Sequence, residues 1–185
     1  MKTESLVLKI GIGCFIVLAT LFALCMGEKA NLFRLFTPSF FLSWGVVYLI
    51  DNHLWKLKWT KYLLGNVPDL NGQWTAVVRK QGDSDDHSMN VTIKQKWSSI
   101  HFEFNGDRVK SHSTIAELSK INNNYHIKYM WSGHFIDNSI SPSNLEGAAT
   151  LDFMIDNDTL IGSYWTFHPT NSTLGKMTFN RKGSN

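Results

Sequence analysis

Ile100-His101-Phe102-Glu103-Phe104-Asn105-Gly106-Asp107, together with Met89-Asn90-Val91-Thr92-Ile93 just before it, decides the fold. In both runs the apolar residues fall on every second position. Met89, Val91 and Ile93 alternate with Asn90 and Thr92, and Ile100, Phe102 and Phe104 alternate with His101 and Glu103. A strand sends successive side chains to opposite faces, so this period of two predicts strands with one apolar face. Asn105-Gly106-Asp107 ends the second run. Asn and Gly tolerate the positive φ of a tight primed turn, so a hairpin is expected there.

The same alternation recurs outward from this pair. Trp74, Ala76 and Val78 carry it before; Tyr125, Ile127, Tyr129 and Trp131 carry it after. Ala149 to Ile155, Leu160 to Thr166 and Gly175 to Arg181 follow, and Val109 to Leu118 gives a weaker strand, about eight in all. Gly82 to Asp86, Asn122-Asn123-Asn124 and Asp156-Asn157-Asp158 supply the turns between them. Short loops between neighbours imply an antiparallel meander. With no amphipathic helix to cover its apolar face, such a sheet must close on itself. The expectation is an eight-stranded antiparallel up-and-down β-barrel over residues 66–185, with a β-sandwich as the alternative.

The inward positions are not uniformly aliphatic. They include Trp74, Tyr129, Trp131, Tyr164, Thr166 and Arg181. Trp74 is expected to plug the barrel floor. A buried guanidinium needs an anionic partner. For Arg181 that partner is an internal carboxylate such as Glu103 or Glu117, a ligand phosphate, or solvent at an open rim.

Before the barrel, residues 1–65 are apolar and basic. Ile10 to Met26 is seventeen residues without a charge. Extended to Leu6 it spans about 31 Å at ~1.5 Å per residue, enough to cross a bilayer, with Lys9 snorkelling. Ala23-Leu24-Cys25-Met26-Gly27 is a poor signal-peptide cleavage site. Leu35 to Ile50 is a second, sixteen-residue apolar stretch holding Pro38 and flanked by Phe33, Trp55 and Trp59. The two predict a transmembrane hairpin (about 6–26 and 35–52) with Pro38 near the start of its second helix; an interfacial second segment is the alternative. Lys2, Lys9, Lys56, Lys58 and Lys61 outnumber Lys29 and Arg34 of the connecting turn, which puts both termini and the barrel in the cytoplasm by the positive-inside rule.

Seven of the chain's basic residues and three of its acids lie before residue 66, so its net charge of +3 comes from the membrane-flanking part. A duplex-binding domain carries its positive charge on the folded part, so DNA and RNA duplexes are not expected partners. The two cysteines, Cys14 and Cys25, both lie in the first apolar segment, which excludes a disulfide framework in the barrel. Three sequons at Asn90, Asn157 and Asn171 would matter only in a lumenal domain. No nucleophile elbow, phosphate loop or helical metal-ligand pair occurs, so neither an enzyme nor a cofactor or metal site is expected. Adjacent strands could gather His101, His112 and His126 on the outer face, where solvent-facing histidines are the plainer reading.

Two N-terminal apolar helices, a basic linker and Pro68-Asp69-Leu70-Asn71-Gly72-Gln73-Trp74 opening a barrel resemble one family. So does the end of the chain, Leu160-Ile161-Gly162-Ser163-Tyr164 followed by Leu174-Gly175-Lys176-Met177-Thr178-Phe179-Asn180-Arg181. These are the two-transmembrane, β-strand-rich effectors of bacterial CBASS, the cyclic-oligonucleotide-based antiphage signalling system. Gly-x-Trp on a first barrel strand also occurs in lipocalin-like proteins, which usually lack such an anchor. The resemblance implies an inner-membrane protein whose barrel binds a cyclic di- or oligonucleotide made by a partner synthase, a CD-NTase. It implies self-association into a homo-oligomer, contact with membrane lipids, membrane disruption and abortive infection. Tyr129, Trp131, Tyr164 or Trp165 could stack on bases, and Arg181, Arg79 or Lys80 could meet phosphates. Arg79 and Lys80 alternate in direction, so only one of them faces inward. A membrane-anchored, lipocalin-like barrel for a lipid or other apolar ligand is the alternative, and a filled, purely structural barrel a third reading.

Overall fold

Each strand of the barrel hydrogen-bonds to the next, and the last to the first, closing one antiparallel sheet. The computed structural model describes residues 2–26, 32–136, 145–167 and 172–183, without the side chains of 2–6, 32–35 and 61–63. His168 and the sequon at Asn171 lie outside these residues. The strands are β1 Gly72–Lys80, β2 His87–Gln95, β3 Ile100–Asn105, β4 Val109–Ile121, β5 Asn124–Phe135, β6 Leu145–Met154, β7 Thr159–Phe167 and β8 Leu174–Arg181. The up-and-down barrel is therefore present, and the sandwich is not. The chain divides into two compact units, residues 1–69 with 96–98, and residues 70–95 with 99–185.

Burial follows the alternation. Trp74, Ala76, Val91, Ile93, Phe102, Ile127, Leu151, Leu160 and Phe179 are buried, while Asn90, Lys94, Lys128 and Asp152 are exposed. Burying such side chains contributes about 1.5–3 kcal/mol each. Aromatic rings fill the middle of the lumen. Phe102 stacks on Tyr129 at 4.8 Å, and Phe104 lies 6.1 Å from Phe179. β4 contains a bulge between Ser113 and Ile115 that shifts its register against β5.

The hairpin expected at Asn105-Gly106-Asp107 joins β3 to β4, though not through a primed turn. Gly106 has no positive φ, and its N–H donates to the Val109 carbonyl. The two-residue turn with both φ positive is Asn122 (48°) and Asn123 (70°), between β4 and β5. Asn tolerates the left-handed region because its short amide stabilises it locally.

In the other unit, α1 (Lys2–Met26) and α2 (Leu32–Asn52) are followed by a 3₁₀ turn at Leu54–Lys56 and α3 (Lys58–Leu64). Val7–Met26 is long and apolar enough to cross a membrane; among the described residues it is the one helix that is. Pro38, expected near the helix start, lies inside α2. It and the polar Ser39, Ser43 and Asp51 reduce α2's hydropathy. Asp51 accepts the backbone N–H of Trp97 on its carbonyl and that of Ser98 on its carboxylate, at 3.0 and 2.9 Å.

Replacing the fully buried Phe102 removes one ring from the central stack. Phe102→Ala is expected to cost about 3–5 kcal/mol of barrel stability, read as a lower midpoint in chemical denaturation followed by near-ultraviolet circular dichroism.

Candidate functional site

The two ends of the barrel differ in what their inward residues can do. At the floor, where β1 begins and β8 ends, Trp74 is wholly buried and its indole N–H donates to the Leu70 carbonyl at 3.0 Å. Arg181, cross-strand from Trp74, lies with its guanidinium carbon 4.4 Å from that ring's centroid. Its Nε and Nη2 donate to the two carboxylate oxygens of Asp158, and Nη1 donates to the Asn71 carbonyl at 2.7 Å. The anion is thus Asp158, in the turn between β6 and β7, and not Glu103 or Glu117. Asp158 is left-handed (φ 47°), which turns its carboxylate back to the floor side. Glu103 faces outward and pairs with Lys94 at 2.6 Å. Trp74 is thus buried at this end of the barrel with the Arg181 guanidinium over its ring.

The opposite end forms the mouth. One transverse inner row runs Tyr129, Ala149, Tyr164, Gly175, Lys80 across β5, β6, β7, β8 and β1. The next row outward runs Ser113, Trp131, Gly147, Thr166 across β4 to β7. Large side chains alternate with Ala or Gly. The glycines are what let the rings lie down: a Cβ at Gly147 would sit 2.6 Å from the Trp131 ring, and one at Gly175 would sit 2.3 Å from the Tyr164 ring. Trp131 and Tyr164 are therefore laid against the wall, half-buried, instead of projecting across the opening.

The rows bring Trp131, Tyr164, Thr166 and Lys80 to one stretch of inner wall. Thr166 Oγ1 accepts the Thr173 N–H at 3.0 Å and shares a hydrogen bond with the Thr173 hydroxyl at 2.6 Å. Lys80 is exposed, with no ion pair among the described residues. Tyr129 lies beneath this wall, buried; its hydroxyl faces the Met177 sulfur at 3.4 Å, and burial pushes its pKa well up. Burial, and then the Asp83 charge, raise the Tyr164 hydroxyl. Arg79 is outward, held by Asp86 through two hydrogen bonds of 2.6 and 2.7 Å, and Trp165 belongs to the outer wall. Of the candidates read from sequence, then, Arg181 sits at the floor, Arg79 and Trp165 outside, Tyr129 below, and the rest at the mouth.

His126 pairs with Asp152, apart from His101 and His112, whose rings lie 6.2 Å from each other. Among the described residues no cluster could hold a metal ion.

A family model described as Cap15, cyclic dinucleotide receptor domain, matches residues 65–181, the span that contains all eight strands. The chain belongs to the Cap15 family. This is the CBASS effector class that the sequence resembled, and the Cap15 barrel is its cyclic dinucleotide receptor domain. None of the curated proteins matches the chain. A receptor for such a ligand needs flat apolar faces for bases and donors for phosphates. Such residues occur at both ends of the Cap15 barrel, but those at the floor, Trp74 and Arg181, are held by each other and by Asp158, whereas Trp131, Tyr164 and Lys80 keep exposed area.

Two outcomes follow. Arg181→Lys keeps the charge but loses the planar fork, and is expected to cost about 1–3 kcal/mol through unmade hydrogen bonds, seen as a lower melting temperature. Tyr129 keeps its proton in the folded state after the unfolded chain would have lost it near pH ~10. Stability is then undiminished below that pH and falls as pH rises through it. In urea titrations between pH 8 and 11, Tyr129→Phe should flatten this fall; Tyr125 and Tyr164, raised in the same direction, account for what remains.

Proposed function

We propose that this chain is a membrane-anchored receptor, not an enzyme, that takes a cyclic di- or oligonucleotide at the barrel mouth. Ligand binding drives self-association, and the helices then disrupt the bacterial inner membrane in an abortive response to phage. The family match over residues 65–181 carries the reading. The ligand comes from a cyclic-oligonucleotide synthase, a CD-NTase.

At the mouth, Trp131 and Tyr164 stack on bases, while Lys80 and the Thr166–Thr173 hydroxyls meet phosphate oxygens. Self-association is supported by an apolar row on the outer wall. Ile115, Met130, Ala148, Trp165 and Leu174 follow one another in register across β4 to β8. Ile115 is 66% exposed, Met130 48% and Leu174 50%. Contiguous apolar surface of this kind marks an interaction face. A ligand can favour the associated state only by binding it more tightly.

Both helices are assigned to the membrane, although α2 alone is marginal in hydropathy. Its packing supports this. The residues α2 buries most are Ser39 and Ser43, whereas Phe36, Phe40, Phe41, Trp44 and Leu49 are exposed. A helix packed in water does the reverse. Lipid removes the penalty on exposed apolar groups, and small residues then let helices approach closely. Lys56 and Lys58 after α2, with Lys9 in α1, support cytoplasmic termini and a cytoplasmic barrel.

Calorimetric titration of the detergent-solubilised chain with a panel of cyclic dinucleotides tests the receptor role. Trp131→Ala and Tyr164→Ala should each weaken binding by about 1–3 kcal/mol, the value of one stacked base. No heat with any member of the panel, or unchanged affinity in the double variant, would overturn the mouth as the site.

A further inference from the structure

A polar groove lies on the outer wall, away from the mouth aromatics. It is an open groove of about 310 Å³ over β3, β4 and β5, lined by His101, Glu103, Lys110, His112 and His134. At about 30 Å³ per water it has room for about ten waters. We propose that this groove is an anion site that takes a phosphate group.

The groove exists because β3 and β4 pair over a short distance only. Their ladder has Glu103 opposite His112, Phe104 opposite Ser111 and Asn105 opposite Lys110. Beyond it the Ser113 side chain replaces the ladder, accepting the Phe102 N–H at 2.9 Å and holding His101 Nδ1 at 3.0 Å. His101 is thereby fixed by one nitrogen, leaving Nε2, 3.9 Å from Glu103 Oε1, as its outer donor. Across β4 and β5, Lys110 sits opposite His134. Three imidazoles and one ammonium therefore surround a single carboxylate, and Glu103 is already paired with Lys94 from β2 at 2.6 Å. Lys94, His101 and His112 together hold its carboxyl below the usual range. Once Glu103 is neutralised by Lys94, the remaining groups are donors.

A metal ion fits less well, since no group of ligands here could hold one. A phosphate accepts several charge-assisted hydrogen bonds at once, which is what dispersed N–H donors offer. Lys94, His101, Glu103, Lys110, His112 and His134 are the charged or titratable groups of this site. The groove's lining shares no residue with Lys80, Trp131, Tyr164 and Thr166 at the mouth, although Ser113 of the inner row holds His101.

The test uses the full-length ¹⁵N-labelled chain in nonionic detergent, with imidazole nitrogens followed by NMR during titration with inorganic phosphate. At pH 6 the His101, His112 and His134 resonances should shift together and saturably, with His126 as the unmoved control. The affinity should fall about tenfold in Lys110→Gln and in His112→Gln, equivalent to one lost contact of ~1.4 kcal/mol. Both side chains are exposed, so neither substitution threatens folding. Phosphate-free nanodiscs of phosphatidylglycerol, set against phosphatidylcholine, separate the sources. A shift there assigns a lipid headgroup, and a shift with added phosphate alone assigns a soluble anion. Unmoved imidazoles at pH 6 in both arms overturn the site. So do shifts that His126 shares or that survive both substitutions. Cyclic dinucleotide affinity measured on the same variants should stay unchanged, which keeps this outcome separate from that of the mouth.

Discussion

β8 returns to β1 through a ladder that runs from Trp74 opposite Arg181 to Lys80 opposite Gly175, and on this closure everything else depends. An open sheet of eight strands would leave two edges of unpaired N–H and C=O groups and an apolar face in water. Closing it satisfies the edges and turns alternation along each strand into a distinction between lumen and surface. It also creates two ends. Arg181 spends its charge on one of them, bridging Asp158, Asn71 and the Trp74 ring. A guanidinium held on three sides is a structural clasp. Of the inward basic candidates, that leaves Lys80, at the other end, exposed.

The inner wall fills from the floor upward by ring stacking and thins towards the mouth by substitution of glycine. Phe102, Phe104, Tyr129 and Phe179 occupy the middle. Gly133, Gly147 and Gly175 occupy inward positions nearer the mouth, where Trp131 and Tyr164 rest over two of them. The same pairing rule serves both purposes, since a large residue beside a small one is how a narrow barrel is packed without strain. At the floor the outcome is a dry core. At the mouth the rings keep exposed area, because no residue above covers them among those described.

Most of this was legible along the chain. Period-two alternation gave each strand because the closed sheet has one wet and one dry face, and the inward parity of Trp74, Tyr129, Trp131, Tyr164, Thr166 and Arg181 could be counted. Which end each residue occupies could have been counted too, since strands of an up-and-down barrel reverse direction: Arg181 closes the strand that follows Tyr164's, and so lies at the far end. The Arg181–Asp158 pair was hidden because it joins a strand end to a turn 23 residues away; the β7–β8 ladder, which ends with Thr159 opposite Asn180, sets them side by side. Both hairpin turns read from Asn105-Gly106-Asp107 and Asn122-Asn123-Asn124 are present; only the shorter, two-residue connection needs the positive φ that Asn and Gly both tolerate. Gly147 and Gly175 looked like gaps in a strand pattern, and their role shows only across the ladder.

The bulge in β4 shows how one residue can tie several surfaces together. Up to Ser113 the odd-numbered side chains of β4 face inward; after Ile115 the even-numbered ones do, so Ala116 meets Tyr129 inside. Thr114 and Ile115 consequently both face out, and Thr114 donates to the Met130 carbonyl. Bulges bend a strand and increase its twist, and here the bend coincides with the place where β3 leaves the β4 ladder and the histidine groove begins. Removing Thr114 would restore strict alternation, with Ser113 inward, Ile115 outward and Ala116 inward, so the extra residue changes which parity faces the lumen without moving these three. The extra residue lets one strand serve two registers: Ser113 keeps its place on the inner wall and reaches His101, while Ile115 joins the outer apolar row and Ala116 returns to the lumen beside Tyr129.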